Sequence, residues 1–536
     1  MSQSNQHSKS IDAVIVGAGF AGIYMLHKLR QQGLEARVIE AGSGVGGTWY
    51  WNRYPGARCD IPSMQYSYQF SEELQQQWEW SEKYATQGEI LGYAEYVVER
   101  FGLADGMTFS TRVTASHYLE AEDQWQVELD NGEHLQARFV VMATGCLSKP
   151  NYPNIDGLNQ ATVPVYHTAQ WPHEGVDFTD RRVAVIGTGS SAIQSTPIIA
   201  QQAQTLTIFQ RTPNYSIPAY NAPLDPEYVK DLKSRYRQYR EENWQRGFGA
   251  DFDDKNESAL AVSAQERRQT YEERWAKGGL GFLAAYNDLV FDMQANDTAR
   301  EFFKEKIGER VDDPALAEKL VPTNPIGCKR LCVDSDYYEI YNQDHVNLVD
   351  LNEAPISRID GNAVVTGDDR YEVDAIVLAT GFDAMTGAVT NIDIRGQQGR
   401  SLQDKWASGP KAYLGLATAG FPNLFLVTGP GSPSVLSNML PSIEQHVEWI
   451  ANCIEYMNSH QYRSIVPAPE AEQTWVEHVN EIADLSVYPG CNSWYLGANV
   501  EGKSRVFMPY LGVPPYVEKC NEVVANGYEG FTLSAR

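Results

Sequence analysis

Two glycine-rich turns constrain the fold of this chain more than any other feature of its sequence. The first turn, at Gly17, Gly19 and Gly22, follows the apolar run 11–16 (IDAVIV), and a helical pattern and the short strand 36–39 come next. A strand, a glycine turn, a helix and a second strand form a βαβ unit. Its glycines allow a tight turn and close approach of a pyrophosphate, which then lies at the helix N-terminus. The start of the chain therefore predicts a dinucleotide-binding unit.

A second unit of the same kind begins far downstream, at Arg182. The strand 182–186 (RVAVI) leads to Gly187 and Gly189, then to a helix and to the strand 205–209. Two such units predict two separate dinucleotide-binding domains of the Rossmann type.

The residue at the end of the second strand of each unit indicates which nucleotide it binds. Glu40 follows the strand 36–39, where a carboxylate bonds ribose hydroxyls and repels a 2′-phosphate, so the first site suits FAD or NAD. Arg211 takes the corresponding place after the strand 205–209, where a guanidinium attracts a 2′-phosphate, and Thr212 adds a hydroxyl. The second site is therefore predicted to bind NADPH, and the pair describes a flavoprotein reduced by NADPH.

The remaining chain is predicted to fill out an α/β protein with two Rossmann-like domains and a helical insertion. Two buried strands end in ATG turns, at 140–145 and at 375–382, and residues 225–320 are polar with helical spacing. Ser263 and Glu266 form a capping box there. The predicted boundaries are 1–149 and 387–536 for the FAD-binding domain, 150–217 and 330–386 for the NADP-binding domain, and 218–329 for the insertion.

Charge and composition exclude several classes of partner. The formal net charge of −26 repels nucleic acid and anionic membranes, and no apolar stretch reaches the roughly 20 residues that span a bilayer. The polar N-terminus lacks the features of a signal peptide. Seven cysteines without regular spacing are typical of a reducing cytosol. We expect a cytoplasmic protein, a monomer or weak oligomer, that acts on a small molecule.

Disulfide reductases share this two-domain plan but need a cysteine pair beside the flavin. Cys59 and Cys146 are each alone in the first domain, and Cys328 and Cys332 follow the insertion. Without further His or Cys nearby, Cys328 and Cys332 do not predict a zinc site either. The sequence therefore favours oxygen as the electron acceptor.

The chain resembles the class B flavoprotein monooxygenases of the Baeyer–Villiger type over nearly its whole length. The residues that carry the resemblance, besides the two glycine turns and the ATG turns, are residues 46–50 (GGTWY), 58–60 (RCD), 167–172 (HTAQWP), 329–330 (KR) and 493–495 (SWY). The family fingerprint is kept at His167, Thr168 and Trp171, whereas Ala161 and Val163 stand where it has Phe and Gly.

The resemblance implies a mechanism and the residues that carry it. NADPH reduces FAD, O2 adds at the flavin C4a, and the resulting peroxide converts a ketone to an ester or lactone. Arg330 is implied as the fixed positive charge beside the peroxide, and Asp60 as the carboxylate that holds this arginine. Lys329 is implied to reach the 2′-phosphate together with Arg211, and His167 to shape the linker between the domains.

The resemblance also implies further contacts with the cofactors and with the substrate. Those with FAD or the shared pocket are Gly47, Thr48, Trp49, Val113 and Met439. Those with NADP are Thr188, Ser190, Ser191, Gln194 and Trp494. The substrate pocket is formed by Ile61, Leu147, Pro433, Ser434, Val435, Leu436 and Met439.

Residues 433–439 resemble the longer active-site loop of the phenylacetone-type members of the family. Such a bulge favours narrow ketones and aryl sulfides over broad cyclic ketones. Two other hypotheses stay open from the sequence: an N- or S-hydroxylating relative, which Thr168 and Trp171 disfavour, and an uncoupled NADPH oxidase or redox sensor.

Overall fold

The computed structural model describes residues 9–535. Its strands, in chain order, are β1 (Lys9–Val16), β2 (Ala36–Ile39), β3 (Met107–Thr108), β4 (Val113–Leu119), β5 (Gln124–Leu129), β6 (His134–Met142), β7 (Val165–His167), β8 (Arg182–Ile186), β9 (Thr205–Gln210), β10 (Ser216–Pro218), β11 (Cys332–Asp334), β12 (Val346–Asp350), β13 (Ile356–Asp360), β14 (Ala363–Thr366), β15 (Asp369–Glu372), β16 (Ala375–Leu378), β17 (Asp393–Arg395), β18 (Leu424–Leu426), β19 (Tyr462–Pro467) and β20 (Phe531–Ala535).

The helices are, in chain order, α1 (Phe20–Gln31), α2 (Thr48–Trp51), α3 (Glu72–Gln77), α4 (Gln87–Arg100), α5 (Ser190–Ala200), α6 (Pro226–Ser234), α7 (Tyr236–Asn243), α8 (Ala264–Lys277), α9 (Met293–Arg310), α10 (Pro314–Leu320), α11 (Gly387–Thr390), α12 (Leu402–Lys405), α13 (Met439–Ser459), α14 (Pro469–Asp484) and α15 (Val513–Ala525).

The first large sheet has the order β17-β4-β5-β6-β1-β2-β3, with β18 also paired to β6. Strand β1 lies between β2 and β6 and is parallel to both, so that Val16 is level with Ile39 and Met142. Ala13, Val14 and Ile15 are fully buried. An apolar run buried on both faces is expected of a central parallel strand, and the predicted βαβ unit is confirmed.

The second large sheet has the order β12-β9-β8-β16-β7, and its strands are parallel. Strands β8 and β9 are the predicted second unit, and β16 carries the second ATG turn at its carboxyl end. The sheet is built from two stretches of chain, 165–210 and 346–378, with a helical segment between them. The first sheet is mixed, because β5 runs antiparallel to β4 and β6, whereas the second is parallel throughout. The predicted α/β class is confirmed.

The segment between the two stretches contains α6 to α10 and is enclosed by β10 and β11, which pair in parallel. Ser263 caps α8, where its Oγ accepts a hydrogen bond from the Glu266 amide at 3.2 Å, as the capping box predicts. Phe302 and Phe303 of α9 belong to the same hydrophobic core as α1. The helical segment therefore packs against the first sheet as well as the second.

The structure joins Cys328 and Cys491, 163 residues apart, in a disulfide. The other five cysteines are free and buried. The sequence does not predict this bond, because the spacing of cysteines along a chain does not show which of them meet in the fold. Within residues 9–535, no helix is both long and apolar enough to cross a membrane.

Gly22 provides a direct test of how closely α1 packs on the first sheet. A Cβ at this position would overlap the carbonyl oxygen of Gly17, whereas a Cβ at Gly92, within α4, would meet nothing within 4 Å. We expect Gly22→Ala to lower the free energy of unfolding in urea by about 1–3 kcal/mol through overpacking. Gly92→Ala, the matched helical control, should raise it by about 0.5–1 kcal/mol. Equal effects of the two substitutions would contradict this account of the turn.

Candidate active site

A cleft of about 1490 Å³ lies between the two sheets. Its walls come from the carboxyl ends of β1, β2 and β6 on one side and of β8, β9 and β16 on the other. In open α/β sheets, ligands bind at this edge. A pocket for one drug-sized molecule has about 300–1,000 Å³, so this cleft has room for larger ligands.

The first half of the cleft is shaped by glycines that bring backbone segments into contact. Gly17 has φ +107°, and a Cβ there would lie 2.6 Å from the Ala143 carbonyl oxygen of the first ATG turn. Gly47 has φ +55°, and its Cβ would lie 2.8 Å from the Cα of Gly19. No side chain caps the N-terminus of α1, so its first amides remain available to a pyrophosphate.

Glu40 lies at the carboxyl end of β2 and is buried. One carboxylate oxygen accepts from the Ala18 amide at 2.7 Å, and the other accepts from the Gly42 amide at 2.6 Å. Each oxygen keeps a second lone pair for a ribose hydroxyl. The fixed negative charge fits the ribose of FAD and opposes a 2′-phosphate, as the sequence predicts.

The second half of the cleft has the same backbone plan with the opposite charge. Helix α5 has no side-chain cap, and the Thr188 hydroxyl donates to the Thr212 carbonyl at 2.8 Å. Arg211 is exposed at the end of β9. Burial, together with the nearby Arg211, lowers the pKa of the Lys329 ammonium. Two cations therefore converge where the sequence predicts the 2′-phosphate of NADPH.

Gln194 also lines this half of the cleft, but its side chain makes contacts that the sequence does not predict. Its Oε1 accepts from the Tyr54 hydroxyl at 2.8 Å, and its Nε2 donates to the Arg58 carbonyl at 3.1 Å. Tyr54 and Arg58 both lie in the part of the first half of the protein that follows the first glycine turn. The amide of Gln194 therefore connects the two halves of the cleft.

Arg330 and Asp60 meet in the cleft in a side-on ion pair. The Arg330 Nε lies 3.0 Å from one Asp60 oxygen, and an Nη lies 2.8 Å from the other. The side chains are 20% and 25% exposed. Burial works to lower the pKa of the Arg330 guanidinium, but the charge and hydrogen bonds of Asp60, together with Tyr495 and Cys59, raise the pKa above its usual value. Arg330 therefore stays charged.

Two further groups that sequence reasoning missed hold the guanidinium. Its other Nη donates to the Val435 carbonyl at 3.2 Å, and its Cζ lies 5.5 Å from the centroid of the Phe248 ring. Phe248 lies in the helical segment between Gly247 and Gly249. This Gly-Phe-Gly turn is the one local signal that could have marked it as a loop near the site.

Most of the site residues predicted from the sequence pattern or implied by the resemblance line the cleft. These are Gly17, Gly19, Glu40, Gly47, Thr48, Trp49, Asp60, Ile61, Val113, Leu147, Gly187, Thr188, Gly189, Ser190, Ser191, Gln194, Arg211, Thr212, Lys329, Arg330, Val435, Met439 and Trp494. Gly22, Pro433, Ser434 and Leu436 do not line it: Gly22 packs α1 on β1, while Ser434 and Leu436 are buried in the short helical turn at 434–436.

The fingerprint residues lie beside the second sheet and do not line the cleft. His167 ends β7, which pairs with β16, and its Nε2 lies 3.3 Å from the Thr380 hydroxyl of the second ATG turn. Burial lowers the pKa of the His167 imidazole. Thr168 is fully buried, and Trp171 packs in the core of the second sheet. These positions suit a structural role within the second sheet.

Comparisons with known proteins agree with this geometry. Residues 14–305 match the family of pyridine nucleotide-disulphide oxidoreductases. The chain is 38% identical to cyclopentanone 1,2-monooxygenase of a Comamonas species, over 100% of this chain and 98% of that one. It is 40% identical to a phenazine N-monooxygenase of Lysobacter antibioticus, over 97% of each chain. The structure of an oxidised steroid monooxygenase bound to NADP is 52% identical with a TM-score of 0.94, over 98% of this chain and 100% of that one.

The chain belongs to the class B flavoprotein monooxygenases of the Baeyer–Villiger type. It is thus an enzyme that uses FAD, NADPH and O2 to oxidise ketones, and the predicted cofactors are confirmed. The Cys328–Cys491 disulfide does not line the cleft, so disulfide reduction beside the flavin is not supported by the geometry.

The lowered pKa of Lys329 predicts a pH dependence of NADP+ binding. Above its pKa in the free enzyme, Lys329 must take up a proton when the phosphate binds, so the Kd for NADP+ should rise with pH earlier than an ordinary lysine pKa of about 10.4 allows. Lys329→Arg should remove this rise, because arginine stays charged. Arg211→Ala should weaken NADP+ binding by about 10- to 100-fold at every pH.

Titration calorimetry with NADP+ and NAD+ between pH 7.5 and 10 tests both assignments. The Kd for NAD+, which lacks the 2′-phosphate, should change little in either variant. If the Kd values for NADP+ and NAD+ changed by the same factor, Arg211 and Lys329 would not bind the 2′-phosphate.

Proposed function

We propose that this enzyme converts small, uncharged ketones to esters or lactones and also oxidises sulfides, with Arg330 as the catalytic cation. The observation that carries the proposal is the Arg330–Asp60 pair, which holds a permanent positive charge in the cleft between the two nucleotide half-sites. When bound, the flavin would accept hydride from NADPH and activate O2.

Arg330 suits this role because its charge cannot be given up as a proton. Its pKa is raised, and a guanidinium is protonated throughout the physiological range. A fixed cation stabilises negative charge that develops on oxygen as a carbonyl is attacked. A lysine at the same place would risk losing its proton.

Asp60, Val435 and Phe248 act on Arg330 from different directions. Asp60 accepts two bonds along one edge of the guanidinium, and the Val435 carbonyl accepts a third. The Phe248 ring lies against its carbon. We assign these groups the task of keeping the cation in place, so that no reorganisation is needed during the reaction.

The substrate wall that we propose consists of Ile61, Leu147, Val435 and Met439, which line the cleft. Since these side chains are apolar, binding depends on shape, and discrimination by a methylene is worth only about 1–3 kcal/mol. Ketones and aryl sulfides share the required lack of charge. Oxygenation of an aromatic nitrogen is the second candidate, which the 40% identity to a phenazine N-monooxygenase favours.

The proposal includes three features of the whole protein that the sequence predicts. These are the division into an FAD-binding domain, an NADP-binding domain and a helical insertion at the boundaries given above, a monomeric or weakly associated state, and a cytoplasmic location. The two large sheets and the helical segment between β10 and β11 support the division. Size measurement by light scattering tests the association state.

Replacing Arg330 should separate oxygenation from cofactor binding. We expect Arg330→Ala to keep its FAD and to consume NADPH, yet to form ester at least about 10²- to 10³-fold more slowly, with H2O2 released instead. Asp60→Ala should give a smaller loss. Product analysis by mass spectrometry with phenylacetone, together with a peroxide assay, measures both quantities.

Arg182→Ala is the matched control for the loss of a side-on ion pair. Arg182 contacts Asp374 with the same geometry, at 3.1 and 2.9 Å, but does not line the cleft. The Arg182→Ala variant should form ester at close to the wild-type rate. Near-native ester formation by Arg330→Ala, or an equal loss in Arg182→Ala, would refute the proposed role.

Val435 should influence which ketones are accepted. Deletion of Ser434 and Val435 would also remove the carbonyl that holds Arg330, so Val435→Ala is the cleaner change. Because a smaller side chain widens the wall, we expect the ratio of activity on 2-phenylcyclohexanone to that on phenylacetone to rise by about 10-fold or less. Leu436→Ala, one residue further and outside the cleft lining, should leave this ratio unchanged. If neither variant alters it, the loop does not set the substrate range.

A further inference from the structure

The segment 54–58 (YPGAR) begins beside the first half of the cleft and packs against the second sheet. It follows α2, whose residues form part of the wall of the first half-site. Tyr54 and Ala57 nevertheless belong to the hydrophobic core of the second sheet, together with Ala192 and Ile193 of α5. A segment that begins at the wall of the first half of the cleft is thus buried in the hydrophobic core of the second sheet.

Hydrogen bonds hold the segment to α5. Gln194 accepts from the Tyr54 hydroxyl at 2.8 Å and donates to the Arg58 carbonyl at 3.1 Å. Since Tyr54 is buried, its hydroxyl needs hydrogen-bond partners, and Gln194 accepts its proton while Ser191 of the same helix is a second partner. The amide therefore uses both its acceptor and a donor across the boundary.

Gly56 permits this contact. Its φ is +80°, a conformation that residues with a Cβ rarely adopt. A Cβ there would overlap the carbonyl oxygen of Gln194 and lie 3.3 Å from the Ile198 side chain. The turn can approach α5 this closely because no side chain projects between them.

The contact lies between the groups whose relative placement matters for the reaction. Gln194 is one helical turn from Ser190, where α5 begins and its N-terminus faces the second half-site. In the other direction, Gly56 is close in sequence to Asp60, which holds Arg330. The turn at 54–58 therefore connects the N-terminus of α5, in the second half-site, with the ion pair of Arg330 and Asp60.

We propose that Gly56, which packs against the Gln194 carbonyl, is a positioning residue that sets the distance between the two cofactor half-sites. Reaction between two bound groups requires their reacting atoms at about 3–3.5 Å, and a misplacement of about 1 Å can cost 10²-fold in rate. A side chain at position 56 would push α5, and the second half-site with it, away from the first. The inference rests on the two cofactors of the family and is independent of the substrate proposed above.

Gly56→Ala tests the inference, with Gly132→Ala as its control. Gly132 lies in the turn between β5 and β6, has φ +86°, and would place a Cβ with nothing within 4 Å. Both substitutions introduce the same backbone strain, and only the first introduces a clash. Anaerobic stopped-flow reduction by NADPH gives the limiting rate and the Kd, and hydrogen–deuterium exchange of the enzyme without NADPH reports the packing.

For Gly56→Ala we expect the limiting rate of flavin reduction to fall by about tenfold or more, with the Kd for NADPH changed by less than about twofold. Amides of residues 54–60 and 190–200 should exchange faster. Gly132→Ala should match the wild type in rate and in exchange of these residues. An unchanged rate in Gly56→Ala, an equal loss in Gly132→Ala, or a loss proportional to missing FAD would overturn the proposal.

Tyr54→Phe decides the question if Gly56→Ala fails to fold. It removes only the hydroxyl that donates to Gln194, and Tyr118→Phe is its control because it removes a similar bond, to Asp123 at 2.9 Å, away from the cleft. Reduction should slow, and exchange in residues 190–200 should increase, in Tyr54→Phe alone. Wild-type behaviour of Tyr54→Phe in both measurements would overturn the proposal.

Discussion

The ion pair between Arg330 and Asp60 joins residues 270 positions apart in the chain, and both residues line the cleft. A largely buried cation is costly unless a partner accepts its hydrogen bonds, and removal of that partner would leave the charge uncompensated. The two sheets, the helical segment with Phe248 and the loop with Val435 must therefore all reach one point. Parts of the chain that are far apart in sequence thus meet at this cation.

Local features of the site can be predicted from the sequence because they depend on short-range geometry. The glycine turns, Glu40 and Arg211 occupy fixed positions along a βαβ unit, so counting residues is enough to assign them. The cap at Ser263 is equally local. Arg330 and Asp60 differ, because no spacing predicts that they meet, and only the resemblance to a family implies their roles.

Other parts of the site lie beyond sequence reasoning for a physical reason. Gln194 follows the second glycine turn and is predicted to contact NADP, yet its side chain is used by Tyr54 and Arg58. Tertiary packing decides which of several possible partners an amide takes. Leu436 and Pro433 lie in the predicted substrate loop, but the short helical turn at 434–436 leaves Val435 as the member of that turn that lines the cleft.

The Cys328–Cys491 bond lies close in sequence to two residues that line the cleft. Cys328 directly precedes Lys329, and Cys491 lies shortly before Trp494, and both of these neighbours line the cleft. A covalent crosslink at this place ties the backbone beside Lys329 to the backbone shortly before Trp494. Lys329 and Trp494 therefore cannot separate by more than the short backbone links to the two sulfurs allow, and this part of the cleft wall keeps its shape as one covalently closed unit.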